Sequence, residues 1–298
     1  MLISKYKANG GFDHSVFTKL FDSLVMSVIE YGASIWGAKD FSCINAVKNR
    51  AMRFFMGVGK YTPNLALYGD MGWMPCAIKQ WSCIFRSWSR FTKMNNNRIN
   101  KKVFLWANRS CSSKIRNWNY RVHCKFKDLD LSYMCNTDYI LSKRVIKDIE
   151  CKSFNIYKDK WHSDLFANDR SKLRNYRLFK TEFGKEFYLS NNIPGKYKSA
   201  FAKFRCGVAP LRVETGRYQG VNLENRVCFY DQCLNCLEDE KHVLLQCPLY
   251  LEMRNELFEN ASNVNGNVLN MCDDEKFIYF YLIMKIFVFT LPKSAIIF

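Results

Sequence analysis

The segment Pro75–Met94 reads PCAIKQWSCIFRSWSRFTKM and shows the period of an amphipathic helix. Its large aromatic residues recur at intervals of three or four, which places them on one side of the helix: Trp81, Phe85, Trp88 and Phe91. Pro75 suits the first turn, because its missing N–H would have no intrahelical partner there. We interpret this stripe as a face packed into the core; a face that stacks on nucleic-acid bases is the alternative.

The same helical period extends in both directions along the chain. Upstream it predicts helices over Val16–Ile29 and Asn45–Val58, and a third helix that begins at Thr62-Pro63. Downstream it predicts a helical, basic stretch over Leu141–Ser190 and a helix over Leu249–Phe258. The sequence therefore predicts a mainly α-helical fold, completed by a small C-terminal Cys/His module of zinc-knuckle type.

Two polar breaks suggest domain boundaries, namely Asn95-Asn96-Asn97 and Asn191–Lys196. They divide the chain into a helical domain over residues 1–95 and a basic, aromatic-rich, mostly helical binding region over residues 96–195. A Cys/His module over residues 196–262 follows, and a polar linker with an apolar tail occupies residues 263–298.

The charge of the chain favours a polyanionic partner. Lys and Arg number 45 against 27 Asp and Glu, a net charge of +18, whose self-repulsion lowers stability. A polyanion such as nucleic acid would relieve this repulsion. An anionic membrane surface, or a basic protein without such a partner, is the alternative. Residues 141–205 hold 16 basic against 7 acidic residues, a net of +9. Phosphate contacts and base stacking are expected from basic and aromatic residues in and after this stretch: Lys172, Arg174, Tyr176, Arg177, Lys180, Arg205, Arg212 and Arg217. A solvated helical face is the alternative.

Cysteine and histidine residues cluster near the C-terminus. Cys233, Cys236, His242 and Cys247 form the pattern C-x2-C-x5-H-x4-C, and Cys228 is an alternative first ligand in place of Cys233. Thiolates and imidazole are the ligands of structural zinc, and four protein ligands would close the site to substrate. We expect a structural zinc ion without which the module is mostly unfolded. Core thiols beside a structural histidine are the alternative.

Thirteen cysteines, and a start at Met1–Gly11 that lacks an apolar secretory signal, predict a reducing intracellular compartment, either nucleus or cytoplasm. The segment Phe277–Phe298 is strongly apolar, but Lys285 and Pro292 interrupt it. Because a spanning helix needs about 20 consecutive, mostly apolar residues, we expect a core helix or strand pair here and no membrane partner.

Two stretches carry a family resemblance. In Val16–Gly72 the elements are, in order, Tyr31-Gly32, Trp36-Gly37, Gly57-Val58, Thr62-Pro63-Asn64 and Tyr68-Gly69-Asp70-Met71-Gly72. In Phe204–Leu257 they are Arg226, Cys228, Glu238-Asp239-Glu240, His242, Cys247-Pro248-Leu249-Tyr250 and Arg254. The first stretch resembles the segment after the palm and thumb of LINE-type (non-LTR) retrotransposon reverse transcriptases, and the second resembles their terminal Cys/His region. One departure is that Cys233 and Cys236 lie farther from Cys228 than the family commonly places its second cysteine, which leaves the ligand set open.

The resemblance implies a non-catalytic C-terminal part of such a reverse transcriptase, whose polymerase domains lie upstream as partners. It implies template RNA or target DNA as the ligand, and the nucleus as the place of action. An inert or domesticated remnant, acting as a structural or interaction protein, is the alternative.

The sequence contains no recognisable catalytic motif. Polymerase chemistry needs carboxylates that hold two metal ions, and reverse transcriptases carry part of this set in a Tyr-x-Asp-Asp turn. The nearest stretch, Met271–Asp274, lacks the tyrosine and lies in a polar linker. We therefore expect no enzymatic activity from this chain and no small-molecule substrate.

Overall fold

The structure is a computed structural model that describes residues 3, 4, 6, 11–112, 114–167, 171–189, 193–233, 235–264 and 266–279. Within these residues about 70% of the chain is helical and no β-strand forms. The extended pairing seen among them is an isolated antiparallel bridge between Val227 and Leu237. The predicted mainly α-helical class, with a Cys/His cluster near the C-terminus, is confirmed.

The longer helices are α1 His14–Phe21, α2 Ser42–Met56, α3 Asn64–Met71, α4 Cys76–Lys93, α5 Ile99–Arg109, α6 Trp118–Asp128, α7 Lys143–Ala167, α8 Gly195–Arg205, α9 Arg212–Tyr218 and α10 Leu251–Val264. Single α-helical turns form at Ser27–Glu30, Ala33–Trp36 and Tyr176–Phe179, and π-helical turns at Asp22–Met26 and His242–Gln246. Turns of 3-10 helix form at Ser132–Cys135, Ser171–Leu173, Phe187–Leu189, Leu223–Asn225, Asp231–Cys233, Pro248–Tyr250 and Gly266–Asn270.

The chain divides into two compact units that interleave along the sequence. Unit 1 is built mainly from Val16–Asn49 and Trp73–Trp161. Unit 2 contains Tyr6–Ser15, Arg50–Gly72 and the chain from His162 onward. This division differs from the four successive domains predicted from the polar breaks. The break at residues 95–97 lies inside unit 1, because apolar residues on both sides of it share one core.

The core of unit 1 is built on the aromatic stripe of α4. Phe85 and Trp88 are fully buried, and the ring of Trp88 meets that of Phe104 in α5 edge-on at 5.0 Å between centroids. Phe85 stacks on Phe126 in α6 at 4.9 Å. Aromatic pairs at these distances stabilise beyond the burial of their surface, by about 0.5–1.5 kcal/mol each. The interpretation of this stripe as a core face, rather than a base-stacking face, is confirmed.

The core of unit 2 contains a buried carboxylate. Asp70, near the end of α3, has no solvent exposure, and its carboxylate accepts hydrogen bonds from the hydroxyls of Tyr176 and Tyr188 at 2.8 and 2.9 Å. The Nε–H of Arg205 donates to it at 2.8 Å. Burial, reinforced by the charge of Asp70, raises the pKa of both tyrosines well above its ordinary value, so both hydroxyls remain donors.

A second carboxylate completes this network. Glu186 lies 2.9 Å from Nη2 of Arg205 and 2.6 Å from Nζ of Lys180. Burial alone would lower the pKa of Arg205, but Asp70 and Glu186 raise it above its ordinary value, so the guanidinium stays charged. Two carboxylates and two cations thus balance each other in the interior, as a buried charge requires.

The backbone near Asp70 also holds the segment around Glu186. The main-chain oxygen of Asp70 accepts the N–H of Glu186 at 2.8 Å, and Gly72 follows with a left-handed φ of 64°. A Cβ at Gly72 would lie 2.5 Å from the backbone nitrogen of Lys185. Glycine is therefore required at this position for both conformation and space.

Within the described residues, no helix combines the length and apolar character needed to cross a membrane. The apolar tail Phe277–Phe298 is described only as far as residue 279, where Phe277 is buried against Phe179. The expectation for the remainder of the tail lies outside the described residues.

Replacing Arg205 by methionine should lower the free energy of unfolding of unit 2 by about 3–5 kcal/mol, because Asp70 and Glu186 would lose a buried positive partner. The measurement is chemical denaturation followed by circular dichroism. The control is Asp274→Ala, which removes an exposed partner of Lys241 in the same unit and should cost less than about 1 kcal/mol. Equal effects of the two variants would contradict the role given to the buried network.

Acid should destabilise unit 2 through His14. This side chain is buried, its Nε2–H donates to the oxygen of Met71 at 3.1 Å, and burial lowers its pKa from 6.5 to about 4. As the pH falls from 6.5 to 4 the unfolded chain binds the proton first, so stability present above pH 6.5 is lost, by up to about 3 kcal/mol. The measurement is unfolding free energy against pH, relative to His14→Gln, which keeps an N–H donor. Parallel curves for the two proteins would contradict it.

Candidate metal centre

Three cysteines and one histidine converge in unit 2. The potential ligand atoms of Cys228, Cys233, His242 and Cys247 all lie within 4.8 Å of one another. Cys233, His242 and Cys247 are buried and Cys228 is partly buried. Four soft ligand atoms converging in this way can hold a metal ion.

The first two cysteines are positioned by a hairpin-like pairing. Next to the bridge between Val227 and Leu237, the N–H of Cys228 donates to the oxygen of Cys236 at 2.8 Å. Cys233 closes the 3-10 turn that follows, and its N–H donates to the oxygen of Tyr230 at 2.8 Å. The chain turns back onto the bridge by way of Cys236, so that Cys228 and Cys233 reach one point.

The other two ligands flank a π-helical turn, His242–Gln246. The carboxylate of Asp239 caps this turn by accepting the N–H of His242 at 2.8 Å. The N–H of Cys247 donates back to the oxygen of His242 at 2.8 Å, which closes the turn and brings both side chains to the same side. Arg254 of α10 supports the turn from beneath, because its buried guanidinium donates to the backbone oxygens of Leu244 and Cys247.

The ligand atoms of His242 and Cys233 lie in surroundings that do not favour a charge on either side chain. Neither ring nitrogen of His242 forms a hydrogen bond of normal geometry within the described part of the chain, although both are buried. Burial lowers the pKa of His242, which keeps the imidazole neutral and able to coordinate. Burial and the neighbouring thiols of Cys228 and Cys247 raise the pKa of Cys233 to about 12. The raised pKa favours the protonated thiol. A bound cation would instead favour the thiolate, which is the ligating form.

The converging group differs from both ligand sets that the linear spacing suggested. Cys228 does not replace Cys233; the two are present together, and Cys236 is the cysteine left outside, with an exposed side chain. The physical reason is the backbone pairing, which uses Cys236 as the partner of Cys228. The positive φ of Asn235, 61°, marks the sharp turn between Cys233 and Cys236. The indication for Cys228 in the sequence was its place after Arg226 in the family-like motif.

The residues expected to bind nucleic acid all lie in unit 2, where three of the eight are buried. Tyr176, Lys180 and Arg205 are buried in the Asp70–Glu186 network, so they stabilise the fold and are not available to a nucleic acid. A local charge count does not reveal these contacts: Asp70 comes from a distant segment, and Glu186 follows Lys180 by six residues.

Other members of the set contact acidic or aromatic side chains of unit 2. Arg174 pairs with Glu240, a residue of the acidic Glu238–Glu240 segment that is itself buried and also accepts a hydrogen bond from Asn175 at 2.9 Å. Burial raises the pKa of Glu240, and Arg174 opposes that shift. The pair joins the basic segment to the Cys/His module.

Lys172 is enclosed by aromatic rings. Its Nζ lies 2.7 Å from Glu214 and within 5.6 and 5.3 Å of the ring centroids of Tyr61 and Tyr218. Arg217 lies 3.6 Å from the same Glu214. These contacts hold α9 in place and engage both cations internally.

The last two members are partly buried. Arg212 lies over the ring of Phe229 at 4.1 Å and donates to Gln219 at 3.2 Å. Arg177 is partly buried in the turn Tyr176–Phe179. The eight residues therefore do not form one continuous solvent-facing surface.

No protein-family model, curated protein or solved structure matches this chain.

The purified chain should carry about one metal ion, and Cys228→Ser or His242→Ala should remove it. The matched control is Cys236→Ser, which should retain the metal because this thiol lies outside the group. Elemental analysis of the purified proteins is the measurement. Metal lost in Cys236→Ser but kept in Cys228→Ser would instead support the linear C-x2-C set.

Proposed function

We propose that this chain is a non-catalytic nucleic-acid-binding segment of a non-LTR retrotransposon reverse transcriptase, held together at its C-terminal end by a structural zinc ion. The zinc part rests on the closed group of Cys228, Cys233, His242 and Cys247. The nucleic-acid part rests on the net charge. The family origin rests on the two motif stretches of the sequence.

Zinc suits the spacing of the thiols. In a tetrahedral site, Zn–S distances of about 2.3 Å give S···S separations of about 3.8 Å. The Sγ atoms of Cys233 and Cys247 lie 3.6 Å apart, and those of Cys228 and Cys247 lie 4.0 Å apart. Four protein ligands leave no open position for water or substrate, so the role is structural. The ion would fasten the Val227–Leu237 bridge to the turn before α10.

The observation that carries nucleic-acid binding is the charge that internal ion pairs cannot cancel. Each pair removes one positive and one negative charge, so the net +18 persists however many pairs form. That excess positive charge attracts a polyanion. When the basic side chains neutralise phosphates, the counterions condensed on the nucleic acid are released, which favours binding. Binding of this kind reads the phosphate backbone and has low sequence specificity.

The remaining parts of the proposal follow from the family. The upstream polymerase domains of the parent protein would supply catalysis, and this segment would hold template RNA or target DNA for them. A reducing compartment, the nucleus, would keep the cysteines able to bind metal.

Binding to a short single-stranded RNA should weaken roughly a hundredfold as salt rises from about 50 to about 200 mM, as expected for a handful of phosphate contacts. Fluorescence anisotropy with labelled RNA and DNA oligonucleotides across a salt series measures this. An affinity that hardly changes with salt, or no binding to either polymer, would favour an inert remnant over the proposed function.

A further inference from the structure

A basic cleft lies in unit 1, whereas the residues that the sequence suggested for nucleic-acid binding all belong to unit 2. Its volume is about 870 Å³, and five exposed cations line it: Arg86, Arg90, Lys93, Arg98 and Lys143. In the part of the chain that the structure describes, no Asp or Glu lines the cleft. The charge of Glu30 reaches Arg86, but Glu30 is not part of the lining.

The spacing of these cations is unfavourable for the protein alone. Arg86, Arg90 and Lys93 occupy positions i, i+4 and i+7 of α4, so like charges are stacked along about 10 Å of one helix face. Arg98 is the N-cap of α5 and Lys143 is the first residue of α7, which places two further cations at the positive ends of helix dipoles. An anion in the cleft would relieve both kinds of repulsion.

The first turn of α5 contributes donors as well as charge. No side chain caps this helix, and its first backbone hydrogen bond runs from the N–H of Lys102 to the oxygen of Arg98. The preceding amides of the turn have no intrahelical acceptor, which is the usual arrangement where a helix terminus receives phosphate oxygens.

The floor of the cleft is apolar. Leu141 and Ile146 are buried there and Met94 is partly buried, while the hydroxyl of Ser89 donates to the oxygen of Leu141 at 2.5 Å and fixes that segment. Cations at the rim and an apolar floor match a chain of phosphates that carries flat, partly apolar bases. A duplex hides its base faces inside the stack, so it would leave the floor unused.

Resting on the proposed function, we infer that this cleft of unit 1 is the site where a single-stranded nucleic acid binds, with its phosphates on Arg86, Arg90, Lys93, Arg98 and Lys143 and a base against Met94. The cleft has the size of a ligand pocket and accommodates a short stretch of strand.

The experiment compares two triple variants of equal charge. The cleft variant carries Arg86→Gln, Arg90→Gln and Lys93→Gln, and the control carries Lys102→Gln, Arg109→Gln and Lys127→Gln, which are exposed helix positions of unit 1 outside the lining. Labelled uridine RNA and thymidine DNA homopolymers are titrated by anisotropy over a salt series. The cleft variant should bind at least about tenfold more weakly and lose about 2 from the log–log salt slope, and the control should change by less than about threefold.

The outcomes separate the cleft from the broader function. Salt-dependent binding by the wild-type chain with equal losses in both variants would overturn the cleft and leave nucleic-acid binding intact. If the wild-type chain shows no salt-dependent binding, both the cleft as a binding site and the proposed nucleic-acid binding are overturned. If inorganic tripolyphosphate displaces the oligonucleotides at matched phosphate concentration, the cleft is a site for small polyphosphates. That result would overturn the inference that it binds a nucleic-acid strand.

A footprint on the wild-type protein tests the cleft without relying on the folding of a variant. Acetylation of lysines in the presence of uridine RNA should spare Lys93 and Lys143 and should modify Lys102 and Lys127 as in the free protein. Equal modification of all four lysines under saturating RNA would overturn the proposal.

Discussion

The carboxylate of Asp70 has no contact with solvent, and a buried charge of this kind requires donors on every side. Its donors come from residues more than a hundred positions away along the chain, Tyr176, Tyr188 and Arg205. Satisfying one side chain therefore brings α3, the turn at Tyr176 and α8 together, and it fixes where the rest of unit 2 packs. Glu186 extends this requirement, since it shares the guanidinium of Arg205 and adds Lys180.

The Cys/His module depends on the same arrangement. Arg174 precedes Tyr176 by two residues and pairs with Glu240, which stands two residues before His242. Once Tyr176 is bound to Asp70, the position of Arg174 is set, and Glu240 has one place in which its buried carboxylate is compensated. The candidate ligand His242 thus has two supports nearby in the chain, the ion pair of Glu240 and the cap that Asp239 provides.

The sequence predicted the local features of this fold well and its long-range features poorly. The helices at α1, α2, α3 and α4 and the buried aromatic stripe follow from the period of apolar residues, which is local information. The polar residues at 95–97 lie between α4 and α5 and do not divide the core that these two helices share. The sequence also did not predict that Cys228, and not Cys236, joins the converging group. That outcome depends on a backbone pairing across a turn, whereas spacing alone favours the adjacent C-x2-C pair.

Charge illustrates the same limit most clearly. The stretch 141–205 carries a net charge of +9. Within it, Lys172, Arg174 and Arg205 each meet a carboxylate from outside the stretch, and Lys180 meets Glu186 inside it. The cations of α4 lie in residues 71–127, which hold 13 Lys and Arg and no Asp or Glu. Among the residues that the structure describes, no acid lines the cleft that they border. A local count of lysines and arginines measures how much charge is present. Where a polyanion binds is decided by the acids, because a cation already paired in the interior gains little from a phosphate and would have to give up its carboxylate to reach one.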